Sequence, residues 1–256
     1  MNPRMITRCM DNIEMIGSLP DNFIDLIYCD VLYGTGKKLK DYQDLKPIRS
    51  EIEIHYIPRV KEMWRVLKDT GSIYLQMDTR INHWLRCIMD DVFGQNNFRN
   101  EIIWNTGSNI SGFKSLKKKG YVRQHDVVLF YTKSNNFMFN IQTFDDKVRR
   151  YKQCITEKEG KICGDTWNDI LSYYFSHIRI TEKRQYDTQK PKALLERIIK
   201  ASSNEGDWIA DFYMGSETTA VVAKELNRNF IGCDINPRAI EITKRRLKLA
   251  APKTVE

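Results

Sequence analysis

The sequence predicts an α/β protein with a mainly parallel sheet covered by helices on both faces. Apolar strand-like runs alternate with amphipathic helical stretches along most of the chain. One segment, Asp207 to Asp234 (DWIADFYMGSETTAVVAKELNRNFIGCD), reads as strand, Gly-containing turn, helix, strand and terminal acid. The length of 256 residues suits one large α/β domain with a small insertion, and 41% hydrophobic content with 11% aromatics argues against global disorder.

In chain order, residues 23–29 (FIDLIYC) form a hydrophobic strand that ends at Asp30, and 34–47 (GTGKKLKDYQDLKP) form a long polar loop of the kind that usually carries function. Residues 51–68 have helical spacing in Ile54, Ile57, Val60, Met63, Trp64 and Leu67, with Pro58 predicting a break from which the helix begins. Strand 72–77, helix 81–93 and strand 101–104 follow, then a polar stretch ending in Lys117, Lys118 and Lys119. Residues 127–132 (VVLFYT) are again a strand, whereas 134–187 mix aromatic and charged residues without a period. After Pro191 comes a helix with Leu194, Leu195, Ile198 and Ile199 on one face. The Asp207–Asp234 unit and a basic helix from Pro237 to about residue 250 complete the chain.

Charge is unevenly distributed. The net +8 resides in the middle: residues 105–200 hold 19 Lys+Arg against 10 Asp+Glu, residues 1–104 hold 14 against 15, and residues 201–256 hold 8 against 8. A concentrated positive segment is what a polyanion-binding face requires. The six cysteines are scattered with no C-x-x-C pair, which predicts free thiols and no metal. No apolar run reaches membrane-spanning length and no signal region is apparent, so a cytoplasmic protein without membrane attachment is expected.

Two constellations carry chemistry. In the Asp207–Asp234 unit, the turn backbone approaches a ligand at a helix N-terminus, and Asp234 at the next strand end suits ribose hydroxyls. A nicotinamide dehydrogenase is the rival for such a turn, but no G-x-G-x-x-G follows an early strand. The second constellation is Asp30-Val31-Leu32-Tyr33, an acid and an aromatic at the carboxyl end of a strand, where open α/β sheets bind ligands.

Together these pieces resemble the β-type amino DNA methyltransferases, which use S-adenosylmethionine. That family places D-P-P-[YF] first, then a target-recognition region, then T-Q-K-P with its helix, and last a D-P-F-x-G-S-G-T-T loop. Here the matching stretches are Asp30-Val31-Leu32-Tyr33, Thr188-Gln189-Lys190-Pro191 and Asp211-Phe212-Tyr213-Met214-Gly215-Ser216-Glu217-Thr218-Thr219, in the same order and spanning about residues 20–250. The resemblance implies a Rossmann-like methyltransferase fold in a single domain, with a recognition region at about 105–187 between a catalytic part (1–104) and a cofactor part (188–250). It implies methyl transfer to adenine N6 in double-stranded DNA by base flipping, with cytosine N4 or a catalytically impaired DNA-binding homologue as alternatives. A homodimer and a cognate restriction endonuclease are further implied partners.

The roles implied are specific. Asp30 and the Val31 carbonyl accept the two N–H bonds of the target amine, drawing its ring-delocalised lone pair towards nucleophilic geometry, and Tyr33 stacks on the flipped base. Asp30, Gln189, Lys190, Asp211, Phe212, Tyr213, Gly215, Ser216, Glu217, Thr218, Thr219 and Asp234 surround the cofactor, with Lys190 on its methionine carboxylate and Thr218 and Thr219 capping the helix start. Lys114, Lys117, Lys118, Lys119 and Arg123 contact DNA. Three departures stand out. Val31 and Leu32 replace the two prolines, which is expected to cost the turn its stiffness; Phe212 replaces a proline; and Glu217 replaces a glycine where the cofactor approaches.

Overall fold

The computed structural model describes residues 2–38, 43–106, 119–144, 161–170, 172, 189–215 and 218–249. An eight-stranded sheet forms its centre. Its strands, in chain order, are β1 (Met5–Cys9), β2 (Ile24–Asp30), β3 (Leu67–Met77), β4 (Phe98–Asn105), β5 (His125–Thr132), β8 (Thr166–Trp167), β9 (Trp208–Asp211) and β10 (Asn229–Asp234). The spatial order is β1-β10-β9-β2-β3-β5-β4-β8. The first five strands in that order are mutually parallel, and β5 runs antiparallel to both β3 and β4. Two short strands, β6 (Thr143–Phe144) and β7 (Lys161–Ile162), form a separate antiparallel pair.

Six helices, α1 (Asn12–Gly17), α2 (Arg49–Val66), α3 (Asn82–Phe93), α4 (Lys192–Ser202), α5 (Thr218–Glu225) and α6 (Pro237–Leu249), accompany the sheet. Two hydrophobic clusters occupy its two faces. Ile27, Cys29, Ile73 and Leu75 point to the side of α1–α3, and Leu26, Tyr28, Tyr74 and Ile209 to the side of α4–α6. The alternation along β2 follows from the two-residue period of a strand, and burial on both faces explains why FIDLIYC reads as a continuous apolar run.

Helix α2 corrects one expectation: it runs unbroken through Pro58. Ile52 and Tyr56 before the proline and Val60, Met63 and Val66 after it are all buried, whereas Pro58 itself is exposed. Burial on both sides outweighs the roughly 3 kcal/mol that an interior proline costs. Strand β1 and helix α1 add to the expected elements. The stretch 105–187 contributes β5 to the interior of the main sheet and β8 to its edge, so this region is woven into the sheet through those strands.

The topology places the site. Strand β2 leads through α2 to β3 on one side, and its other neighbour is β9, which leads through α5 to β10 in the opposite direction. The carboxyl ends of β2 and β9 therefore flank a topological switch point, the crevice where open α/β sheets hold ligands. Two motifs about 180 residues apart in sequence become neighbours there, because Leu26 and Ile27 pair with Ile209 and Ala210.

Candidate active site

A cavity of about 360 Å³ opens at this switch point. Asp30, Val31 and Tyr33 wall it from β2; Asp211, Phe212, Tyr213, Gly215, Thr218 and Thr219 from the β9–α5 turn; Lys190 from the segment before α4; and Asp234 from the end of β10. Gln189 is buried directly before Lys190. Ser216 and Glu217 lie outside the described residues, as do Lys114, Lys117 and Lys118.

Asp30 has both carboxylate oxygens engaged. Oδ1 accepts from the Tyr33 hydroxyl at 2.8 Å, and Oδ2 accepts from Lys190 Nζ. Burial raises its pKa above the ordinary aspartate value, and the neighbouring Lys190 opposes that rise. Lys190 thus faces the acid at the β2 end in this structure. Tyr33 is half-buried, and desolvation of its hydroxyl beside Asp30 and Asp126 drives its pKa far above that of a free phenol, so it stays protonated.

The turn after Asp30 is held without prolines. Val31 donates its N–H to the Gln76 carbonyl at 3.0 Å, a bond proline could not make, and the Tyr56 hydroxyl donates to the Leu32 carbonyl at 3.0 Å. The turn thus carries hydrogen bonds to β3 and α2 where the family pattern has ring closures. The loop beyond is tied down by Asp44, whose carboxylate accepts from the Gly34 and Thr35 amides.

Around the β9–α5 turn, Asp211 accepts from the Tyr213 amide at 3.0 Å and the Thr219 hydroxyl at 2.7 Å. Burial pushes its carboxyl up to about 7 despite those bonds. Thr218 donates its hydroxyl to the Lys190 carbonyl at 3.0 Å. Both threonines therefore tie α5 to β9 and to the Lys190 segment, where helix capping was expected. Gly215 adopts φ +49°, and its amide donates to Asp234 Oδ2 at 2.8 Å. That bond joins the turn to the end of β10 and aims the carboxylate at the cavity.

Several lining residues carry no motif in the sequence. Asp11 and Asn12 follow β1, and Arg59 and His55 project from α2. Arg59 donates to both Asp11 oxygens at 3.2 Å, Asn12 Nδ2 donates to the Phe212 carbonyl at 3.2 Å, and His55 Nε2 lies 2.9 Å from the Tyr213 hydroxyl. Burial, aided by Arg59, lowers the His55 pKa to about 4, so its ring is neutral at pH 7. An i, i+4 pair of His55 and Arg59 on one helix was the only available signal, and it is too common to be informative.

The carboxylates of Asp11, Asp30, Asp44, Asp211 and Asp234 give the cavity an acidic wall, with Lys190, Arg59 and Lys37 as its basic members. This mixture suits a zwitterionic ligand bearing an additional cation and a ribose. At the edge of the β5 region, Lys119 is exposed, and Arg123 donates to Asp126 at 2.7 Å and reaches Asp78 at 3.1 Å. Arg123 is thereby anchored to the sheet, unlike a freely solvated phosphate ligand.

The chain resembles known proteins in sequence and in fold. The family model described as DNA methylase (N6_N4_Mtase) matches residues 24–245. The Type II methyltransferase M.HpaI of Haemophilus parainfluenzae is 34% identical over 253 residues, covering 96% of this chain and 74% of its own length. The DNA adenine methyltransferase YhdJ of Escherichia coli (strain K12) is 30% identical over 260 residues, covering 96% of this chain and 83% of its own. Among solved structures, the M1.HpyAVI–SAM complex superposes with a TM-score of 0.60 at 21% identity, covering 95% of this chain and 100% of that one. The cytosine-N4-specific PvuII DNA methyltransferase superposes with a TM-score of 0.66 at 16% identity, covering 99% and 96%. At these identities the structural matches speak to the fold.

Proposed function

The chain belongs to the DNA methylase family N6_N4_Mtase, and from that premise we propose that it methylates adenine N6 in a specific double-stranded DNA sequence, using S-adenosylmethionine. The observation that carries this is the convergence of Asp30, Val31 and Tyr33 with Asp211, Gly215 and Asp234 around one cavity at the switch point. S-adenosylmethionine, when bound, supplies a methyl group on a sulfonium. Asp234 suits the ribose hydroxyls, Gly215 and Ser216 the close approach of the methionine part, and the carboxylates of the wall the positive charges. Thr218, Thr219, Asp211, Phe212, Tyr213, Gln189 and Lys190 hold that pocket in shape.

On the substrate side, Asp30 and the Val31 carbonyl accept the two N–H bonds of the target amine, while the Tyr33 ring stacks on a base rotated out of the duplex. Positioning dominates such a displacement, because in-line attack needs no strong base. Asp at the head of the motif favours adenine, and the adenine-specific YhdJ is among the relatives. Cytosine N4 is the second reading, since the family covers both amines by name. Recognition is assigned to the part of 105–187 outside β5 and β8, where Lys114, Lys117, Lys118 and Lys119 supply phosphate contacts, with Arg123 at its junction to the sheet. Relatives bearing Type II names point to a cognate restriction endonuclease as a functional partner.

Incubation with labelled S-adenosylmethionine and DNA lacking prior methylation, followed by nucleoside analysis, decides among these. Label in N6-methyladenine is expected. Label in N4-methylcytosine moves the assignment to the other amine, and DNA binding without label refutes the enzyme.

A further inference from the structure

Tyr33 has one hydroxyl proton and two carboxylates within reach of it. Asp30 Oδ1 lies at 2.8 Å and Asp126 Oδ2 at 2.9 Å from its oxygen. A single proton is donated to one of them at a time. Asp126, on β5, is buried at 5% exposure and firmly held. Gln76 Nε2 donates to its Oδ2 at 3.1 Å, Arg123 Nη1 donates to its Oδ1 at 2.7 Å, and Gln76 itself accepts from the Tyr28 hydroxyl at 2.7 Å. Asp126 is therefore a fixed acceptor beside a hydroxyl that can turn.

Asp30 is in the opposite position. Under the function proposed above, on which this inference rests, it must accept a bond from the target amine in addition to those from Tyr33 and Lys190, and an Oδ1 relieved of the Tyr33 proton offers that amine an uncontested lone pair. Releasing the Tyr33 hydroxyl with no other acceptor would leave a half-buried donor unpaired, at a cost in free energy. We infer that Asp126 is a positioning residue that takes over the Tyr33 hydroxyl bond when Asp30 engages the amine of the target base. No covalent bond changes in this step; one hydrogen bond is exchanged for another, and the Tyr33 ring stays anchored for stacking.

The test is a double-mutant cycle read by single-turnover methyl transfer from labelled S-adenosylmethionine to unmethylated DNA. In Asp126→Asn, the amide oxygen retains the Arg123 bond and the amide nitrogen replaces the acceptor that Tyr33 and Gln76 share, so the hydroxyl stays on Asp30, while the loss of the Gln76 bond is common to both backgrounds of the cycle. Transfer is expected to slow roughly tenfold with cofactor affinity unchanged. In Tyr33→Phe the competing hydroxyl is absent, and Asp126→Asn on that background is expected to cost severalfold less than in the wild-type chain. A purely structural role of Asp126 would give the same loss on both backgrounds. An unaffected single variant, or equal losses on the two backgrounds, overturns the inference. If Asp126→Asn fails to bind cofactor, Asp126→Ser is read in the same cycle. A wild-type chain that transfers no methyl overturns the underlying function and the inference with it, an outcome distinguished by the wild-type arm alone.

Discussion

Asp211 shows how burial at a single residue links the site to stability. Its carboxyl stands at about 7 in the folded chain against an ordinary value of 3.8, with burial as the largest cause. Because the folded value is the higher one, folding takes up a proton between those two pH values. The favourable contribution is complete below about pH 4, declines as pH rises, and is gone above about pH 7. The two values differ enough for roughly 4 kcal/mol of pH-dependent stability as an upper bound. Asp211→Asn should therefore gain stability relative to wild type between pH 5 and pH 8 in urea titrations, and a constant difference across that range would refute the buried, ionising carboxylate. The residues of the site differ in how legible they were. Asp30, Tyr33, Gly215 and Asp234 lie in short linear motifs and meet where expected. Asp126 and Gln76 gain their role only through the antiparallel register of β3 and β5, which no local spacing in the chain encodes.

The β9–α5–β10 unit is the element to which the proposed function assigns the cofactor, and Gly232 shows how tightly it is packed. A Cβ on Gly232 would lie 2.5 Å from the Asp211 carbonyl and 2.7 Å from Met214 Sδ. Gly232→Ala is expected to destabilise the fold by roughly 1–3 kcal/mol and to weaken cofactor binding, because relieving the clash moves β9 away from β10. Unaltered denaturation midpoints and cofactor affinity would contradict that packing. In α2 the reverse is expected: Pro58→Ala restores an interior helix bond at an exposed position and should stabilise by roughly 1–3 kcal/mol. Local propensity misplaced the start of this helix because the burial of Ile52 and Tyr56 against the sheet is a tertiary effect. The edge strand β1 went unread for a related reason: its residues are only partly buried or exposed, so MITRC carries no strong apolar pattern.

At the scale of the molecule, charge is divided along the chain. The basic excess lies in residues 105–200, and the acidic wall of the cavity comes from the start of α1, the ends of β2, β9 and β10, and Asp44 in the loop after β2. DNA affinity should fall linearly on a log–log plot against salt. Simultaneous substitution of Lys117, Lys118 and Lys119 by Ala should reduce the slope by up to about 3, whereas Arg123→Ala, tied to Asp126 and Asp78, should reduce it by less than about 1. The alternation of strands and helices announced the parallel part of the sheet, and the order of motifs announced which ends would meet. The crossing of β5 into the sheet was hidden, because an antiparallel strand in this stretch of the chain has no local mark distinguishing it from an outlying hairpin. Most direct for the central claim, that the β2 end and the β9–β10 cradle form one methyltransferase site, is paired measurement of Asp30→Ala. S-adenosylmethionine binding should survive within about threefold while methyl transfer to DNA falls by at least about a thousandfold. Retained transfer, or loss of cofactor binding in parallel with transfer, would contradict it.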